Sequence, residues 1–254
     1  MKYRIYSDIH NEVRRYYMSK RYEPWVPEPM EGDKNTILIL AGDIDHAKQI
    51  PRYLNMLAPR FKAIIHVSGN HEYYGSNVHH CNKTLKETEL APNVYHLENQ
   101  VITIEGQKFA GATMWTNLRA REAAVHTVMN DYRAIRMGGQ NYRKLTAMDT
   151  TLFHFESEQF LHNNVDKDTI VITHHSPLSP NANAGPYARA PTDVDYAYYA
   201  CQEEFIMNAK PKAWISGHIH EVSDHQFLDT RLIVNCIGYY GEECNYTKGV
   251  FEID

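Results

Sequence analysis

Histidine, aspartate and asparagine gather in five short clusters: Asp8-Ile9-His10, Gly42-Asp43, Gly69-Asn70-His71-Glu72, His174-His175 and Gly217-His218-Ile219-His220. Carboxylate, imidazole and amide groups together suit Mn²⁺, Fe or Zn²⁺. Asp8 and His10 flank one residue, as do His218 and His220, so each pair points one way from an extended segment. Asp43 has two oxygens and can bridge two ions, while Asn70 offers a neutral amide oxygen. One division gives the first ion Asp8, His10, Asp43 and His220, and the second Asp43, Asn70, His174 and His218. Two carboxylates against two dications leave a positive centre that favours a phosphate anion. Two ions about 3.5–4 Å apart would activate a shared water as hydroxide. The expected reaction is therefore in-line attack on a phosphate ester. His71, directly after a ligand, is expected to act as general acid or transition-state stabiliser beside the catalytic Asp43.

Each cluster needs an element to hold it, and each stands where an apolar run ends. Runs at 3–6, 37–40, 63–65, 170–172 and 213–215 read as buried strands, with further candidates at 101–104, 232–234 and 250–253. Loops at the ends of rigid strands can bring distant side chains together. Helical spacing relates Met148, Leu152 and Phe155, and again Tyr198, Cys201 and Phe205. Pro51 suits the first position of a helix. Strands and helices are mixed, with β-rich stretches near 95–115 and 225–254, so the expectation is an α/β sandwich in one domain spanning 1–254. Residues 11–35 and 176–194 read as loops from their prolines and, in the first, the run Arg14-Arg15-Tyr16-Tyr17. Both follow a cluster and are expected to rim the site.

The net charge of −5 argues against a surface built wholesale for nucleic acid. Cys81, Cys201, Cys236 and Cys244 form no CxxC pair and read as reduced thiols. The chain runs at once into the strand that delivers Asp8, and no apolar stretch nears the roughly 20 residues of a membrane span. A cytoplasmic protein with no membrane partner is expected.

The five clusters match D-x-H, G-D, G-N-H-[DE], H and G-H-x-H, and in this the chain resembles the calcineurin-like metallophosphoesterases. The resemblance implies a four-layer αββα sandwich with a dinuclear site at one edge of the sheets. Gly111-Ala-Thr-Met-Trp-Thr116, Met129-Asn-Asp-Tyr-Arg133 and Lys212-Ala-Trp-Ile215 look like a bacterial and phage branch. Spacing does not choose between His174 and His175; similar proteins use the first as ligand, which leaves His175 behind it or against substrate. Asn130 and Arg133 are expected substrate contacts, Arg133 through its bidentate guanidinium. Glu72 is expected to fix its loop. The implied cofactors are two divalent ions, Mn²⁺ first, with Fe, Zn²⁺ or Ni²⁺ as alternatives. The implied partner is a small phosphorylated molecule such as a nucleotide, with phosphomonoester and phosphodiester both open. Competing readings are a nucleic-acid-processing enzyme, with residues 11–35 as a clamp, and a non-catalytic scaffold on the same fold. Nucleic acid is not favoured, given the negative charge.

Overall fold

A computed structural model of the chain describes residues 1–139, 141–180, 190–242 and 244–253. The first half builds one sheet from β1 (Lys2–Tyr6), β2 (Ile37–Ala41), β3 (Ala63–Val67) and β4 (Val94–His96), with α1 (Asn11–Met18), α2 (Ile50–Leu57) and α3 (Val78–Glu87) in the connections. A second sheet takes β5 (Gln100–Ile104) and β6 (Gln107–Ala112). After α4 (Glu122–Val128), α5 (Asp131–Ala134) and a small ribbon of β7 (Arg136–Gly138) and β8 (Asn141–Lys144), α6 (Ala147–Asn164) leads back to that sheet. There follow β9 (Thr169–Thr173), α7 (Glu203–Ala209), β10 (Ala213–Ser216), β11 (Val222–Phe227) and β12 (Thr230–Asn235). Finally β13 (Phe251–Glu252) returns to the first sheet.

The strand orders are β13-β1-β2-β3-β4 and β11-β12-β10-β9-β6-β5. The inner pairings are parallel, and β13, β11 and β5 close the edges antiparallel. Parallel neighbours share a carboxyl edge, so β1, β2 and β3 of one sheet and β9 and β10 of the other empty their loops toward one end. A backbone bridge between Ser7 and Cys236 joins the two sheets there.

Three apolar layers separate four structural layers. Between the sheets lie Ile5, Ile37, Ile39 and Ile65 from one and Phe109, Ile170, Ile172 and Ile215 from the other. Each is fully buried, and burying such a side chain stabilises by about 1.5–3 kcal/mol. The opposite face of the first sheet packs Leu38, Leu40 and Ile64 against Ile50 and Leu54 of α2 and Leu85 of α3. The outer face of the second packs Val171 and Trp214 against Leu161 of α6 and Phe205 of α7. The result is the expected αββα sandwich. Pro51 stands in the first turn of α2, where a missing N–H costs no hydrogen bond.

Two local expectations are corrected, and a third, the helix through Met148, Leu152 and Phe155, is present with those residues on its outer face. Residues 11–18 are helical, because His10 caps α1 from a left-handed conformation (φ 51°) and starts the coil directly after the cluster. In α6 the spaced residues Met148, Leu152 and Phe155 face solvent at 58%, 54% and 50% exposure. Its inner face is instead largely polar, with Thr150 bonded to the Tyr132 hydroxyl and His154 Nδ1 to the Trp115 carbonyl, while His154 Nε2 is buried without a hydrogen bond. Tyr198, Cys201 and Phe205 do not share a helix. Cys201 sits at φ 56°, and α7 begins only at Glu203. Residues 181–189 of the expected rim loop lie outside the described residues.

Candidate metal centre

The carboxyl edge collects the clusters from both sheets. Asp8 and His10 follow β1, Asp43 follows β2, Asn70 and His71 follow β3, His174 follows β9, and His218 and His220 follow β10. Asp8, His10, Asp43, His218 and His220 all have positive φ, between 50° and 70°. Such backbone is uncommon outside glycine and persists where the surroundings over-determine it. The cluster glycines make room for this crowding. A Cβ on Gly69 would stand 2.2 Å from Asp43 Oδ1, and one on Gly217 2.6 Å from Asp8 Oδ2.

Two sets of donors converge. Asp8, His10 and His220 form one, and Asp43, His174 and His218 the other, each with ligand-type atoms within 4.8 Å of one another; a third such group, His10, Asp43 and His71, overlaps both. In the first, His10 Nε2 faces His220 Nε2 at 3.2 Å, and His220 Nε2 lies 3.5 Å from Asp8. In the second, His174 Nε2 stands 3.1 Å from His218 Nδ1 and 3.1 Å from Asn70 Oδ1. Asp43 joins the two, since its Oδ2 is 3.4 Å from His174 and 3.8 Å from His10. Its Oδ1 is already occupied, accepting from the His71 backbone N–H at 2.8 Å.

The outer nitrogens explain the orientation. His10 Nδ1 is held by Glu12 at 3.0 Å, His220 Nδ1 by Glu242 at 2.7 Å and His174 Nδ1 by the Ala41 carbonyl at 2.9 Å. Each outer nitrogen has an acceptor for its N–H, so the inner nitrogen is the one available to a metal, in the tautomer a metal ligand needs. Facing lone pairs about 3 Å apart repel unless a cation sits among them. The donor set therefore fits divalent ions. The charges agree. Against burial, which lowers it, Asp43 raises the His174 pKa to about 10, and Asp8 and Glu242 raise that of His220 to about 9. These carboxylates draw positive charge into a buried place.

Around the donors lies a supporting ring. Glu72 accepts from the backbone N–H groups of Asp43, Ile44 and Gly69 at 2.8–3.0 Å, tying two cluster loops together. Asn70 donates its amide N–H to Asp131 at 2.8 Å, so its oxygen turns toward His174. Tyr74 donates to the same carboxylate at 2.7 Å. His71 donates Nδ1–H to Glu12 at 2.9 Å and stacks on Tyr74 at 4.1 Å. Its Nε2 faces Asp43 Oδ2 at 4.0 Å and the Tyr239 hydroxyl at 3.4 Å. Burial lowers its pKa, but Asp43 and Glu12 prevail and lift it to about 9.

A cleft of about 460 Å³ opens over the donors, and Asn130 helps line it. Two expected substrate contacts stand elsewhere. Arg133 is exposed and donates to the Thr127 carbonyl at 2.5 Å, closing the turn after α4 instead of entering the cleft. His175 is buried behind His218, rings 4.2 Å apart, with Nδ1 on the Thr113 carbonyl, and burial lowers its pKa to about 3. Sequence reasoning overlooked Glu12, Asp131, Tyr239 and Glu242. Asp131 lay inside the Met129-Asn-Asp-Tyr-Arg133 motif, and its acidity beside an expected contact was the available signal. Nothing local marked the other three.

A four-layer sandwich with two oxygen–nitrogen donor sets at its carboxyl edge defines a metal-dependent phosphoesterase architecture. A family model for calcineurin-like phosphoesterases matches residues 1–222, and the chain belongs to that family, as a hydrolase of phosphoric ester bonds. It is 30% identical over 235 residues to the uncharacterized protein L509 of Acanthamoeba polyphaga mimivirus, a match covering 84% of this chain and 83% of that one. Among solved structures, phosphopantetheinyl hydrolase from Mycobacterium tuberculosis is similar in fold (TM-score 0.62, 16% identity, 94% of this chain and 89% of that one). So is a putative 5′-nucleotidase from Staphylococcus aureus (TM-score 0.52, 14% identity), of which the match covers 49% while taking in 98% of this chain. Among the described residues no helix is long and apolar enough to cross a membrane.

Proposed function

We propose that this chain hydrolyses a small phosphate ester at a two-ion centre. One ion is held by Asp8, His10, Asp43 and His220, and the other by Asp43, Asn70, His174 and His218. The observation that carries this is Asp43: one carboxylate oxygen faces both donor sets while the other is fixed by the His71 N–H. When bound, two such ions lower the pKa of a water and neutralise the non-bridging phosphate oxygens. Mn²⁺ is the ion we assign first, with Fe, Zn²⁺ or Ni²⁺ as alternatives, because the donors mix oxygen and nitrogen without thiolate.

His71 supplies the proton. Glu12 fixes its Nδ1, so Nε2 points to the cleft, and the neighbouring carboxylates Asp43 and Glu12 favour its protonated form. A proton there can pass to the leaving alkoxide as the P–O bond breaks. Asn130 lines the cleft and would meet substrate from the wall. The substrate class of this reading includes nucleotides; the two hydrolases similar in fold are named for a phosphopantetheinyl group and a nucleotide. The free thiols of Cys81, Cys201, Cys236 and Cys244 support a reducing, cytoplasmic location.

The test is His71→Ala in Mn²⁺-loaded protein. Metal content should stay at the parental value while turnover falls about 10²–10⁴-fold, most for esters with poor leaving groups. Equal losses on activated aryl esters and alkyl esters would remove the acid role, and full activity in chelator would remove the metal role.

A further inference from the structure

The exposed tyrosines form a path. Tyr239 lines the cleft and stacks on His10 at 4.2 Å. The next residue, Tyr240, lies 6.1 Å from Tyr17 of α1 and within 19° of parallel, and Tyr17 meets Tyr16 edge-on at 5.3 Å. Exposure climbs along the path from 40% at Tyr239 through 49% and 64% to 81% at Tyr16. Contiguous exposed rings beside a catalytic cleft mark a contact surface. The arginines of α1 lie beneath it. Arg14 donates to the Ile9 and Gly238 carbonyls, and Arg15 pairs with Asp45. The helix is thus held down by its arginines and offers its tyrosines outward, with Lys20 and Arg21 exposed in the turn that follows.

The opposite side of the centre is also aromatic and apolar. Tyr198 packs on His218 at 5.1 Å, and Val128 at the rim is 54% exposed. Tyr239 therefore flanks the Asp8–His10–His220 set and Tyr198 the Asp43–His174–His218 set. A phosphate between them has a ring-binding surface on both ester arms. A monoester has only one arm. Among the described residues no Lys or Arg lines the cleft, so a second phosphate in it would meet no Lys or Arg side chain.

We propose that the surface from Tyr239 over Tyr240 and Tyr17 to Tyr16 is a stacking platform for the bases beside one scissile phosphodiester, and that the preferred substrate is a short single-stranded oligonucleotide. The inference rests on the hydrolytic reading above. Water adds across one P–O bond, so one product keeps the phosphate and the other leaves as a hydroxyl with a proton from His71. Stacking tolerates sequence because every base has a π-face. Overall negative charge does not oppose this occupant, since the surface binds with rings and needs only one or two phosphate contacts at Lys20 and Arg21.

The test compares a single-stranded hexanucleotide, as DNA and as RNA, with bis-para-nitrophenyl phosphate and a mononucleotide on the Mn²⁺-loaded protein. The hexanucleotide should exceed the mononucleotide in kcat/KM. In Tyr17→Ala and Tyr16→Ala its kcat/KM relative to the aryl diester, too short to reach α1, should fall about five- to fiftyfold. Tyr17→Phe should restore it, because the ring face remains. With few phosphate contacts the salt dependence should be shallow, about −0.7 in log–log slope per contact. An unchanged ratio in both alanine variants, or preference for the mononucleotide, overturns the platform while aryl diester turnover leaves the hydrolase reading standing. No turnover of any ester overturns both.

Discussion

The floor of the cleft and its rim are built on opposite principles. At the floor Asp8, His10 and His174 are fully buried, each fixed by backbone or carboxylate partners, and several residues are bent into left-handed backbone. At the rim Tyr16, Tyr17, Tyr240 and Val128 stand in solvent with few neighbours. Positions at the floor are over-determined, so small changes there have nowhere to relax. Positions at the rim are loosely held and can change without disturbing the fold. On our proposal, chemistry is set at the first and substrate choice at the second.

The sharpest break of this contrast is Gly69→Ala. Its methyl would meet Asp43 Oδ1 at 2.2 Å and the Asp43 backbone nitrogen at 2.7 Å, and neither is the free end of a flexible chain. Displacing a reacting group by about an ångström costs about 10²-fold, so kcat should fall at least that far, with metal content reduced. Asp43→Asn should remove most bound metal and activity together; retention of both would end its bridging role. Next come the residues behind the ligands. Glu12→Gln and Asp131→Asn should each weaken metal binding about 10–100-fold, read by competition with a chelator. At the rim, Val128→Ser should leave the melting temperature within a degree or two.

A pH-dependent effect lies behind the floor, at Glu98. Its Oε2 accepts from Thr113 N–H at 3.0 Å and from the Thr113 hydroxyl at 2.6 Å, and the Thr113 carbonyl in turn accepts from the His174 N–H. Glu98 is half-buried, and the loss of water around it raises its pKa to about 7. A raised carboxyl stabilises the fold fully below its unfolded pKa, near 4.5, and that contribution is lost as pH climbs through about 7. Glu98→Gln should therefore melt like the parent near pH 4.5 and above it at pH 8. Equal melting at both would show that the group is not desolvated.

Much of the floor was legible in the sequence, because each donor sits two to five residues past an apolar run and strand ends must meet at a sheet edge. Strands β1, β2, β3, β9 and β10 all emerged from those runs. The rim and the supporting ring were not legible. Glu12 is fixed against His10 and His71 only because residues 11–18 coil, and composition suggested a loop. Arg133 looked like the phosphate contact of its motif, but the turn aims it at Thr127 and turns Asp131 inward to Asn70. The Met148, Leu152 and Phe155 spacing identified a helix, yet periodicity in apolar residues does not say which face is buried when the inner face is polar. Tyr239 and Glu242 arrive from a segment that β12 delivers to the site, a placement only the assembled sheets define.

The most direct test of the two-ion account is titration of the metal-free protein with Mn²⁺, following bound metal per chain and aryl phosphodiester turnover together. The account predicts negligible turnover without metal and full turnover only as occupancy reaches two ions per chain, with Asp43→Asn failing to reach it. Full turnover at one ion, or none at two, would contradict it.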